Sequence, residues 1–241
     1  MLPITQTASA DIARAEQVRL EACLAKSESA PEEAYEDSLA WLSNGNRPKA
    51  RYCNAVALLA LDRLEEGAAR LDALATAPEA ISAEDRTTYL VQAGNAWLSA
   101  NYPQAAIVAL TDALKLERDD PEIYKDRAAA YLATEQWIQG VDDLNIALEK
   151  DPTDAEALSL RARAHLATEN YRAARTDMEA AMSYDPENID ILVLRGQIRE
   201  AIRLSELKSR PSRRRLSRHA EPHSCALEWS QCAGAHKGLL D

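Results

Sequence analysis

Five residues near the C-terminus are of the types that hold zinc: His219, His223, Cys225, Cys232 and His236. His219 and His223 have three residues between them, an acceptable spacing for a tetrahedral site. Six residues separate the two cysteines and no C-x2-C occurs, so the set falls short of a metal motif and no metal is expected. His165 is the one remaining histidine. It continues a column of aromatic residues and reads as a packed side chain rather than a base. Asp119-Asp120 and Asp142-Asp143 suit capping and solvated faces better than acid–base work. Neither G-x-G-x-x-G nor G-x-x-x-x-G-K-[ST] is present, so the chain lacks both phosphate-cradling loops. No nucleophile–base set can be assembled, and neither an enzyme nor a cofactor is expected.

A second set of charges is periodic. Arg127, Arg161 and Arg195 stand at i, i+34 and i+68, and Asp143 and Asp177 each follow one of the first two at i+16. Two readings fit: an Arg–Asp ladder between the helices of a unit or of neighbouring units, or a solvated charged face.

Which elements carry these residues follows from composition and period. Of the 241 residues, 46% are hydrophobic, only 7 are Gly and none is Phe. That bias favours helix over strand. The net charge is −11 and the pI near 5.0. A chain this acidic repels phosphate backbones and anionic lipid, so neither nucleic acid nor a membrane is expected as a partner. No apolar run approaches the ~18 residues that a spanning helix needs.

The same return governs small residues. Gly94, Ala128, Ala162 and Gly196 form one column, Ala106, Gly140 and Ala174 another, and Ala113, Ala147 and Ala181 a third. Leu90, Tyr124, Leu158 and Leu192 keep the same phase. Tyr124, Arg127, Ala128 and Tyr131 stand at i, i+3, i+4 and i+7, one face of a helix; Gly140, Leu144, Ala147 and Leu148 form the face of a second. Small residues belong where two helix axes come close. Pro152 and Pro186 end helices. Asp120-Pro121 fits an N-cap with proline at the first helical position, and Thr153 followed by Glu156 reads as a capping box.

These residues resemble the tetratricopeptide repeat family, a 34-residue helix–turn–helix unit with the pattern W-x2-L-G-x2-Y…A-x3-F…P. The pattern appears as Tyr124-x2-Arg127-Ala128-x2-Tyr131, then Gly140-x3-Leu144 and Pro152. It recurs as Leu158-x2-Arg161-Ala162-x2-His165, then Ala174-x3-Met178 and Pro186. The resemblance implies an all-α, right-handed α-solenoid. Units are expected at 87–120, 121–154 and 155–188, with a degenerate unit at 48–81 and residues 82–86 interrupting the phase. An N-terminal helical cap at 10–46 (helices near 10–27 and 31–43) follows a disordered 1–9. The first helix of an incomplete unit covers 189–203, and a basic tail, disordered or non-native, covers 204–241.

In this family the first helices line the concave side. Carried over by position, the groove residues are Val91, Asn95, Leu98, Lys125, Ala129, Leu132, Ser159, Arg163, Leu166 and Gln197. This is an apolar floor with Asn95, Lys125, Arg163 and Gln197 as donors, suited to an extended peptide or a partner helix. Relatives that clamp a peptide's terminal carboxylate need a base where Val91 stands and Asn where Asp126 stands, so that mode is not expected. The front of the chain is similar to some exported bacterial members. That likeness implies a Cys23–Cys53 disulfide, while two buried free thiols are the other reading. Ala8-Ser9-Ala10 fits either a frayed terminus or the end of a signal peptide. The compartment is accordingly cytoplasmic as written, or periplasmic if an upstream signal segment is missing. The functional expectation is a scaffold binding a protein or peptide in the groove. The alternative is an assembly subunit that self-associates through its convex face, its edges or its exposed last repeat.

Overall fold

The computed structural model describes residues 4–78 and 81–209. The candidate zinc residues and most of the basic tail lie outside the described residues. Eleven helices are present among the described residues, with no strand. They are α1 (Ile4–Ser29), α2 (Pro31–Ser43), α3 (Pro48–Ala60), α4 (Leu64–Ala75), α5 (Ala83–Ser99), α6 (Pro103–Leu116), α7 (Pro121–Ala133), α8 (Trp137–Lys150), α9 (Ala155–Ala167), α10 (Tyr171–Tyr184) and α11 (Ile189–Ser209). From α2 to α10 each helix packs on the next, and α7 also meets α5 and α9. This is an all-α helical solenoid. Residues up to Ile202 form one compact unit; Arg203–Ser209, the end of α11, fall in a second.

The periodic sequence sets the helix ends. Asp120, Asp154 and Asn188 share one column of the repeat and cap three first helices. Asp120 accepts from the Glu122 amide at 2.9 Å, Asp154 from Glu156 and Ala157 at 2.9 and 3.0 Å, and Asn188 from Asp190 at 3.0 Å. Each satisfies N–H groups that the helix leaves unpaired. The cap of α9 is therefore Asp154 and not Thr153. Thr153 instead donates its hydroxyl to Asp151 at 2.7 Å. The carboxylate one residue later reaches the same amides and is the stronger acceptor.

Turns inside the units repeat too. Asn101, Glu135 and Glu169, again one column, and Asp62 before them all take positive φ, between 59 and 66°. The interruption at 82–86 becomes an extra turn: α5 has 17 residues where α7 and α9 have 13. Arg86 on that turn donates to the carbonyls of Ala75 and Ala77, placing a cation at the end of α4.

α1 begins at Ile4, ahead of the expected 10, because no glycine or proline interrupts the stretch between Pro3 and Pro31. Likewise α11 runs on to Ser209, since "LSELKS" favours helix.

The core lies between successive helices. One buried cluster, including Trp41, Cys53, Leu71, Leu90 and Leu110, runs from α1 to α7. Two smaller ones join α7 to α11 around Leu144, Leu158 and Ile191, and around Met178, Leu194 and Ile198.

Candidate functional site

The small-residue columns allow close helix approach. Ala106, Ala113, Ala128, Ala147, Ala162, Ala174 and Ala181 are all buried. A Cβ on Gly94 would lie 2.5 Å from Leu110 Cγ, and one on Gly140 would meet Leu132 Cδ1. Gly196 differs: it is exposed, and a Cβ there would meet nothing within 4 Å.

Charge is woven into the packing. Arg127 donates from Nε and Nη2 to Asp143, both at 2.8 Å, and Arg161 does the same to Asp177. Each guanidinium also reaches back to the preceding second helix, Arg127 to Thr111 Oγ1 at 3.2 Å and Arg161 to Asn145 Oδ1 at 2.8 Å. The bridge is thus a triad at i, i+16, i+32, and it joins three consecutive helices. It recurs near the front with the polarity turned round. Asn54 donates to Ser38 Oγ at 2.8 Å and accepts from Arg70. In the unit between, Ala93 and Ala109 replace both partners, which leaves no buried charge unmatched. Asp72 of α4, in the unit before, accepts from Trp97 Nε1 of α5 at 2.6 Å. Arg195 meets only Met182 Sδ, at 3.9 Å, among the described residues. His165 stands 3.8 Å from Asp177, and burial pushes its pKa below the usual value, so it is a neutral boundary residue at pH 7.

On the first helices, Val91, Leu98, Ala129, Leu132 and Leu166 are half-buried, forming an apolar strip, and Asn95, Arg163 and Gln197 are exposed. Two of the donors are already engaged. Asn95 Nδ2 donates to Asp126 Oδ2 at 2.8 Å. Lys125 is buried and pairs with Glu122, Asp154 and Glu156 at 2.8, 2.9 and 3.3 Å. Burial works against the Lys125 ammonium, but the three carboxylates outweigh it and hold its pKa above the lysine range. Burial also raises the Asp126 carboxyl, partly offset by the Asn95 bond. Ser159 is buried and donates to the Glu156 carbonyl at 2.9 Å. The strip therefore offers Arg163 and Gln197 as outward polar groups, with Glu122 and Glu156 exposed beside Lys125. Reading the repeat pattern alone did not foresee the carboxylates. Glu122 and Glu156 occupy one column, three positions ahead of Lys125 and Ser159, so the signal lay one turn earlier.

Cys23 and Cys53 form a disulfide with Cα atoms 6.0 Å apart, tying α1 to α3. Further ties are Arg47 to Glu16 and Lys49 to Gln17, both at 2.6 Å. Between α1, α3 and α5 lies a cavity of about 370 Å³. Its Tyr52 continues the Val91, Lys125 and Ser159 column back past the phase interruption, a position that counting from Val91 leaves out. Among the described residues no group of acidic, histidine or cysteine side chains could hold a metal, and no helix is long and apolar enough to cross a membrane.

No protein-family model and no curated protein matches the chain. Solved structures do. The chain is similar to MamA, residues 41 to the end, from Desulfovibrio magneticus RS-1, with TM-score 0.62 and 18% identity over 73% of this chain and 97% of that one. It is similar to YrrB, described as a TPR protein with an unusual peptide-binding site, with TM-score 0.61 and 15% identity over 70% and 84%. The TPR domain of Sgt2 from Aspergillus fumigatus matches with TM-score 0.50 and 22% identity over 56% and 91%. Helix pairs repeating in one phase, small residues at their crossings and these three likenesses lead to one conclusion about architecture: the chain has the fold of a tetratricopeptide repeat protein.

Proposed function

We propose that the chain is a non-enzymatic scaffold that holds a peptide or helix of a partner protein along the face of its first helices. The observation that carries this reading is the part-exposed apolar strip of Val91, Leu98, Ala129, Leu132 and Leu166, with Arg163 and Gln197 beside it. Second helices bury their small columns fully, whereas this strip is covered on one side only: Leu132 reaches Gly140 of α8, Val91, Leu98 and Leu166 lean on the core, and all keep part of their surface open. Arg163 has neither ion pair nor side-chain hydrogen bond among the described residues, so it is the cation available to a ligand. With Lys125 and Asn95 engaged, the face suits an internal peptide segment better than a terminal carboxylate. The nearby Glu122 and Glu156 favour a segment of neutral or basic character. YrrB carries a peptide-binding site on the same fold, which supports the class of ligand and not its identity. The Cys23–Cys53 disulfide favours an oxidising compartment over the cytoplasm.

Selection from a displayed peptide library, with each enriched peptide retested by calorimetry on Ala129→Glu and Arg163→Glu, tests the reading. Peptides that bind the wild type should lose about 10-fold or more in affinity on either variant, as for a contact at the centre of an interface. Peptides that bind all three proteins equally, or self-association that survives both substitutions with no peptide enriched, would move the function to another face.

A further inference from the structure

The cavity of about 370 Å³ lies at the α1 end of the peptide face and is lined by Ala13 and Leu20 of α1, Tyr52 of α3, Ile81, and Asp85 and Tyr89 of α5. Its size is that of a pocket for one large side chain or a small ligand. The Tyr52 and Tyr89 rings lie 4.7 Å apart, tilted by 40°, and Leu20 and Ile81 supply aliphatic wall. Tyr52 accepts from Gln92 Nε2 at 2.8 Å. Tyr89 is only 4% exposed as a residue, but its hydroxyl oxygen is not among the buried polar atoms that lack a partner, and it donates to no protein acceptor among the described residues. A hydroxyl that reaches the cavity without a protein acceptor can exchange water for an acceptor brought by a ligand. Burial pushes Tyr89 up to about 12, which keeps the proton on the phenol at neutral pH.

The rim narrows the choice of occupant. Glu16 is neutralised by Arg47, and Lys49 is bonded to Gln17, whereas Asp85 has no ion-pair partner among the described residues. An acidic group is disfavoured beside that carboxylate. Two aromatic rings, aliphatic walls, the hydroxyl protons of Tyr52 and Tyr89 and the buried, partnerless Glu16 Oε2 suit a neutral aromatic side chain whose adjoining backbone amide and carbonyl supply a donor and an acceptor.

We propose that this cavity is an anchor pocket of the peptide-binding face, taking an aromatic side chain of the partner segment while the Tyr89 hydroxyl donates to that residue's carbonyl. The proposal rests on the peptide-face reading above. α1 forms the outer wall, and the Cys23–Cys53 disulfide holds α1 in place.

The test is a methyl-resolved NMR titration of the oxidised, full chain with N-acetyl-L-tryptophanamide, and with indole as the probe that lacks a carbonyl. The Leu20 and Ile81 methyl resonances should shift saturably with both. Tyr89→Phe should weaken the amide by about 2- to 10-fold, the effect of one neutral hydrogen bond, and leave indole unchanged. Ala13→Trp, a substitution at an exposed position, should fill the pocket and abolish both titrations. Arg163→Glu, far along the face, should leave them intact. Absence of shifts at Leu20 and Ile81, or equal amide affinity in the wild type and Tyr89→Phe, would overturn the pocket even if selected peptides still bind the strip. Saturable pocket shifts with no peptide enriched by selection would instead sink the peptide-face reading, and with it the proposed occupant.

Discussion

Single residues here act by matching partners across helices. Arg127 and Arg161 each close a fork on an aspartate that is largely buried, with side chains of Asp143 and Asp177 exposed by only 7% and 10%. A bidentate pair this sheltered differs from a surface ion pair, which contributes little. A double-mutant cycle on Arg161 and Asp177, read by denaturant unfolding, should give a coupling of about 1–3 kcal/mol; a coupling near zero would make the fork an ornament of a solvated face. Asp126 behaves oppositely. Its folded pKa is raised above the unfolded value, chiefly by burial. The protonated form is therefore favoured by folding, and stability is lost as pH rises through the folded pKa. Asp126→Asn keeps an acceptor for Asn95 and removes that cost. The variant should melt above wild type at pH 7, with the advantage shrinking towards zero as pH falls below the aspartate range. The Arg–Asp spacing was legible because the same two intervals recur along the chain. The engagement of Lys125 by three carboxylates was not, since it depends on which side chains the loop before α9 brings back to α7.

At the scale of helices, the same column of small residues has two meanings. Gly94 faces the head of Leu110 across the α5–α6 crossing, whereas Gly196 of α11 faces open space. Gly94→Ala should overpack the crossing and destabilise by about 1–3 kcal/mol. Gly196→Ala should gain helix propensity and stabilise by roughly 0.5–1 kcal/mol. Thermal melts of the two variants give opposite shifts on this account; a loss of stability in both would mean that Gly196 also sits at a packed crossing. Turn geometry was the element-level feature least visible in advance. Asp62 and Asn101 are of the types that visit positive φ, but Glu135 and Glu169 take it too, and there residue type carried no sign of it. The N-cap of α9 illustrates the same limit: Thr153 and Asp154 are both good caps, and one residue of register decided between them.

Across the whole molecule, the all-α repeat architecture was readable because three small-residue columns and the proline punctuation keep one phase. Partner choice was not readable, because the groove columns that hold a repeated type, such as Leu98, Leu132 and Leu166, also pack on the core, while those that differ from unit to unit, such as Asn95, Ala129, Arg163 and Gln197, show no period. The extra turn of α5 shows how the fold absorbs a break in phase. The insertion lengthens a first helix by one turn, and Tyr52 stays in column with Val91. The central claim is that a partner lies on the first-helix face. It is tested most directly by placing a photo-crosslinking amino acid at Ala129, on that face, and in a second protein at Ile138, which is 75% exposed on α8. Both proteins are irradiated with the same selected peptide. The account predicts a peptide adduct from position 129 and none from position 138. An adduct from 138 with none from 129 would contradict it.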